Sequence, residues 1–242
     1  TLYETGGSAV TWLWSSSGAA VFNDRNLQSP VVTGAVNGEI FTVQITDAGG
    51  NTASASTIVT VYSAVPSRPG LVNGDESQCV NATGVIYSIA PVTNAATYLW
   101  EVPAGVEIAS GQGTLSITVN IGPAAPATGT IRVYAVNACG PSTPARSKEL
   151  NVTRLPEAAG PITGSATFTP GSAGVPYSVS PVTGAASYSW SYTGTGVTIH
   201  GNGTANVTVD FSADATAGQL SVIGINSCGE GSPSSLELAV AA

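Results

Sequence analysis

Few residues in this chain are able to do chemistry: three cysteines (Cys79, Cys139, Cys228), one histidine (His200), and 14 Asp and Glu against 6 Lys and Arg in 242 residues. A Ser-His-Asp site would have to use His200, and no Gly-x-Ser-x-Gly turn frames a nucleophile. A nucleophilic Cys228 would need a base beside it, and His200 falls in the turn before Gly201-Asn202-Gly203. Glycoside hydrolysis needs two carboxylates across a cleft, whereas Glu101 and Glu107 flank one strand turn and read as solvated charges. No Cys/His cluster has zinc spacing. The sequence therefore predicts no catalytic residue and no metal centre. Calcium is the one cofactor the pattern leaves open, at Asp47 with Asn51, Asp75 with Glu76, and Asp210 with Asp214. None of these has the dense acidic spacing of a dedicated loop, and ordinary turn chemistry uses the same residues.

Partners are bounded in the same way. A net charge of -8 gives no basic footprint for nucleic acid or anionic lipid. No run of about 18 apolar residues exists, so no membrane insertion by a helix is expected. Trp14, Trp100 and Trp190 read as core aromatics. Trp12, Tyr134 and Tyr192 are left as exposed surfaces on which a sugar could stack.

The elements that must carry these residues follow from composition and repetition. Only 8% of residues are charged, 29 are Gly and 15 Pro, and short β-branched runs alternate with Gly, Pro, Ser, Thr and Asn. That is the signature of many strands and many turns, with no sustained helical period. Self-similarity then sets the organisation. Tyr87-Ser-Ile-Ala-Pro91-Val-Thr-Asn-Ala-Ala-Thr-Tyr98-Leu-Trp100 recurs as Tyr177-Ser-Val-Ser-Pro181-Val-Thr-Gly-Ala-Ala-Ser-Tyr188-Ser-Trp190, an offset of 90 residues. Gly111-Gln-Gly113-Thr114 recurs as Gly201-Asn-Gly203-Thr204, and Asn137-Ala-Cys139-Gly140 as Asn226-Ser-Cys228-Gly229. A third, diverged copy stands in front, with Trp12-Leu-Trp14 placed like Tyr98-Leu-Trp100 and Leu2-Tyr3 like the strand of Tyr87.

The expected fold is all-β: three tandem immunoglobulin-like β-sandwiches at 1–64, 65–154 and 155–242, joined by short Pro-bearing hinges. Gly70–Gly74 and Gly160–Gly164 are expected to be the opening strands of the second and third. The first has no such segment and is expected to lack its opening strand. Because Thr1 opens directly into an apolar alternation with no initiator Met and no signal-peptide pattern, the chain as a whole is expected to be a processed or excised piece of a longer exported chain. Cys79 and Cys139 fall in the second copy, where strand ends can lie close, and are expected to form a disulfide worth about 4 kcal/mol on the loop-entropy model. The third copy carries Thr169 in place of that first cysteine, so Cys228 is expected to be a free thiol.

The set Cys, Tyr-x-Val/Ile-x-Pro-Val-x-x-Ala-x-x-Tyr-x-Trp, Gly-x-Gly-Thr and Asn-x-Cys-Gly resembles the PKD-like and Ig-like repeat domains of large secreted surface proteins of Bacteroidota. The resemblance covers about Gly70 to Val240. It implies an extracellular or cell-surface location, often reached by the type IX route, and a non-enzymatic structural or adhesive role in an adhesin or filament. The partners it implies are neighbouring domains, further copies of the chain, or a surface polysaccharide. A sheet edge left open by a missing strand would suit linkage between subunits by strand addition. The alternative is a carbohydrate-binding or spacer region of a secreted polysaccharide-degrading enzyme.

Overall fold

The structure, a computed structural model, describes residues 9–241, and every regular element in it is a β-strand. The expected strand at Leu2-Tyr3 lies outside the described residues.

In the first repeat, β1 (Ala9–Ser16), β4 (Ile40–Asp47) and β5 (Thr52–Ile58) form an antiparallel sheet in the order β1-β4-β5. The short strands β2 (Val21–Phe22) and β3 (Val32–Thr33) pair with each other. Period-two alternation puts Trp12 and Trp14 on one face of β1. Trp14 is buried with Ala20, Phe22, Phe41 and Val43, and Trp12 packs at the margin of this cluster. The Trp14 indole N–H donates to Leu27 O at 3.0 Å, which satisfies the one polar atom that burial of the ring would otherwise leave costly. A carboxylate is buried here as well. Glu39 accepts from the Ser16 hydroxyl, from Ala20 N (3.0 Å) and from Val36 N (2.9 Å), so neutral donors surround its charge, and among the described residues no cation pairs with it. Gly18 makes room for it, because a Cβ there would lie 2.7 Å from the Glu39 carboxylate.

The second repeat contains β6 (Ser77–Cys79), β7 (Val85–Ser88), β8 (Thr97–Glu101), β9 (Val106–Ser110), β10 (Ser116–Ile121), β11 (Thr128–Asn137), β12 (Gly140–Pro141) and β13 (Arg146–Thr153). The third repeats them in order as β14 (Thr167–Phe168), β15 (Val175–Ser178), β16 (Ser187–Tyr192), β17 (Val197–His200), β18 (Asn206–Phe211), β19 (Gly218–Asn226), β20 (Gly229–Glu230) and β21 (Ser234–Val240). Their sheets match: β7-β10-β9 with β15-β18-β17, and β12-β11-β13-β6 plus β8 with β14-β21-β19-β16 plus β20. These are tandem β-sandwiches, each with alternate residues of two sheets turned inward.

Each repeated motif has a mechanical reason. Trp100 and Trp190 are buried, and their indole N–H groups donate to Thr114 O and Thr204 O, both at 2.9 Å. The middle residue of Gly-x-Gly-Thr is an amide that mimics a neighbouring strand. Gln112 accepts from Trp100 N and donates to Trp100 O, and Asn202 does the same for Trp190. Tyr87 and Tyr177 are buried rings whose hydroxyls donate to Asp75 O (2.9 Å) and Ser165 O (3.0 Å). Gly74 and Gly164 lie flat on those rings, where a Cβ would come within 2.5 and 2.2 Å of the ring carbons.

The expected opening strands are corrected. Gly70–Gly74 and Gly160–Gly164 contribute a single bridge each, Asn73 with Ser88 and Thr163 with Ser178. The first regular strands are β6 and β14, and they run parallel to the last strands β13 and β21.

The chain divides into two compact units. The first holds the described part of Thr1–Pro69 together with Pro91–Leu99 and Tyr134–Ala145; the second holds Gly70–Ala90, Trp100–Val133 and Arg146–Ala242, of which Ala242 is outside the described residues.

Candidate functional site

The chemistry of this chain gathers at two copies of one hairpin, Asn137-Ala-Cys139-Gly140 between β11 and β12, and Asn226-Ser-Cys228-Gly229 between β19 and β20. In each, the Asn pairs directly with the Gly across a two-residue loop. Gly140 and Gly229 have φ of 125° and 131°, which a side chain would strain. The reversal leaves the cysteine at the tip.

The asparagine is a clamp that sequence reasoning passed over. Asn137 Oδ1 accepts from Cys139 N at 2.8 Å, and its Nδ2 donates to Ala64 O (2.8 Å) and Asn94 O (2.9 Å). Asn226 accepts from Cys228 N at 2.8 Å and donates to Arg154 O (2.7 Å) and Gly184 O (2.9 Å). One amide thus orients the cysteine tip and ties it to the chain leaving the preceding repeat. Its recurrence two residues before Cys139 and Cys228 was the available sequence signal.

The cysteines themselves require a correction. Cys79 is bonded to Cys228, not to Cys139, with S–S 2.06 Å and Cα–Cα 5.6 Å across a sequence separation of 149. Cys139, not Cys228, is the free cysteine, and it is exposed. Strand direction explains the error. Cys79 pairs with Thr153 at the far end of β13, whereas the Cys139 hairpin precedes Arg146 at its start. β13 has 8 residues, about 23 Å at about 3.3 Å per residue, and a disulfide tolerates a Cα separation of only about 7 Å. The same end of β13 is where the Cys228 hairpin docks, with Cys228 Sγ 3.6 Å from Thr153 O. The bond therefore staples the end of the second repeat to the third.

The other candidate residues are spent on local structure. Asp47 accepts from Gly49 N, Asn51 N and the Asn51 amide, closing the β4–β5 turn, and these bonds, the Asn51 side chain's first, hold its carboxyl below the usual range. Glu76 pairs with Lys148 at 3.3 Å, and Asp75 enters through its carbonyl, which accepts from Tyr87. Asp210 accepts from Gly174 N at 2.7 Å and meets His200 at 2.9 Å, and both contacts hold its carboxyl low, the backbone donor most. Asp214 accepts from the Ser212 hydroxyl at 2.6 Å, the main reason its carboxyl is also lowered. Among the described residues, no three His, Cys, Asp or Glu side chains gather as a metal set. Nor, among the described residues, is any helix long and apolar enough to cross a membrane.

Of the expected stacking surfaces, Trp12 and Tyr192 are corrected. Both are partly buried against a core: Trp12 at the Trp14 cluster, Tyr192 edge-on to Phe211 with its hydroxyl bonded to Thr216 O. Tyr134 is half-buried on β11.

The PKD-like domain family matches the chain twice, at residues 65–152 and 155–238. No curated protein matches it. Among solved structures, the chain is similar to the FN1–FN3 domains of chicken CNTN1 at 12% identity and TM-score 0.35, over 96% of this chain and 89% of that one. It is similar to the insect immune protein hemolin at 12% identity and TM-score 0.38, over 95% and 67%.

Proposed function

The chain belongs to the PKD-like domain family, and from that premise we propose that its repeats, 1–64, 65–154 and 155–242, are a non-enzymatic structural or adhesive stretch of an extracellular surface protein or filament, in which successive domains are coupled in series. The observation that carries this reading is the bond between Cys79 and Cys228. A disulfide inside one sandwich would stabilise that sandwich alone; this one couples the second repeat to the third. The Asn226 clamp then fixes the chain between them. Repeats of this kind are typical of extracellular adhesion and structural proteins, and a disulfide suits that oxidising setting. Neighbouring domains and further copies of the chain are the partners this role calls for, and strand addition at the edge of the first repeat is the means of linkage.

Force spectroscopy tests the reading. The staple joins cysteines at a sequence separation of 149, about 500 Å of contour at about 3.5 Å per residue. Pulled from its ends, the oxidised chain should hold that length back, and reduction should release it in steps. Equal extension before and after reduction, or retention of the chain on an insoluble polysaccharide with tryptophan quenching, would overturn it. The second result would favour a carbohydrate-binding region.

A further inference from the structure

The two hairpins are the same device in two states. Cys228 Sγ lies 3.6 Å from Thr153 O, and Cys139 Sγ lies 3.3 Å from Tyr62 O. This makes Tyr62 the counterpart of Thr153 and Val61 that of Val152. In the second repeat, β6 lies along this stretch, with Asn151 N donating to Glu76 O (2.7 Å) and Val80 N to Thr153 O (2.9 Å). Val152 is 7% exposed beneath it. In the first repeat, β5 stops at Ile58, and among the described residues no strand lies along 59–62. Thr60 is exposed and Val61 is 40% exposed. The chain has three cysteines, and two are bonded to each other, so a disulfide partner for Cys139 must come from outside these 242 residues.

We infer that Cys139 is the receiving half of a second staple: an extended polypeptide segment with a cysteine, running parallel to residues 60–62 as β6 runs beside β13, forms a disulfide with it. The carrying observation is the Cys79–Cys228 bond, which shows the identical Asn-x-Cys-Gly receptor holding such a strand. The inference deepens the proposed linkage by strand addition and rests on it. In the reaction, both S–H bonds break and one S–S bond forms. The two electrons reduce the S–S bond of a disulfide oxidant, whose sulfurs leave as thiols carrying the two protons.

The test uses the full chain and a synthetic peptide with the sequence of residues 75–81, its cysteine activated as a mixed disulfide with 2-thiopyridine. Attack by the Cys139 sulfur transfers the peptide and expels the thiopyridine. The native-order peptide should couple about tenfold faster than a scrambled one, the worth of one or two net ladder hydrogen bonds, and a Cys139→Ser chain should not couple. Amide exchange at Thr60 and Tyr62 should slow in the adduct. Equal rates for the two peptides would reduce Cys139 to an exposed thiol and overturn the inference. A peptide with Ser for Cys separates the two readings. If it slows the same amides while the thiol shows no preference, strand addition stands and the staple falls; if neither peptide protects them, both fall.

Discussion

The hairpins at Cys139 and Cys228 share sequence, turn geometry and clamp, and differ in what faces the sulfur. At Cys228 a strand carrying Cys79 lies along the end of the preceding repeat and closes the bond. At Cys139 the corresponding stretch ends at Tyr62 with no strand along it among the described residues. The Asn-x-Cys-Gly motif thus builds a receptor, and the preceding repeat decides whether it is sealed. The third repeat, with Thr169 at the counterpart of Cys79, offers no cysteine for a further joint of this kind.

The largest expected effect separates the two sulfurs. Replacing Cys79 and Cys228 together by Ser should cost about 5 kcal/mol on the loop-entropy model, given the long loop the bond closes. Cys139→Ser should stay within about 0.5 kcal/mol, as an exposed substitution does. Denaturant unfolding of the two variants checks this, and similar losses would erase the distinction.

The clamps come next. Asn137→Ala and Asn226→Ala each remove two donated bonds and one accepted bond, for about 2 kcal/mol. Their dynamic consequences should differ. Without Asn137, amide exchange at Cys139 should rise steeply, since no covalent bond holds that tip. Without Asn226, the disulfide keeps Cys228 in place and exchange should rise less.

A control should show no asymmetry. Gly74→Ala and Gly164→Ala drive a methyl into Tyr87 and Tyr177, and each should lower stability by about 1–3 kcal/mol. Unequal losses would mean that the two sandwiches are less alike than their sheets.

The smallest effect is the response to acid. Glu39 and Asp47 are held low chiefly by the Ser16 hydroxyl and the Asn51 side chain. A carboxyl whose pKa falls on folding adds stability that is complete above its unfolded value, near pH ~4, and lost as pH drops through the folded value. The Trp14 indole N–H signal should therefore report loosening of the first repeat below about pH 4, less so in Glu39→Gln.

The sandwiches were legible because Trp100 and Trp190, Tyr87 and Tyr177, and Gly-x-Gly-Thr recur at constant spacing, and such spacing encodes strands and turns directly. The disulfide was not. Its choice between Cys139 and Cys228 depends on which end of β13 each hairpin reaches, and so on strand direction, which periodicity does not carry. Either pairing leaves one cysteine over, so counting could not decide. Glu39 was invisible for a similar reason: its donors, Ser16, Ala20 and Val36, converge only after β1 and β4 pair.

Non-reducing proteolysis with mass spectrometry, after alkylating free thiols in the native chain, tests the central claim most directly. The account predicts a peptide pair joining Cys79 to Cys228 and an alkylated Cys139. A Cys79–Cys139 pair with an alkylated Cys228 would contradict it.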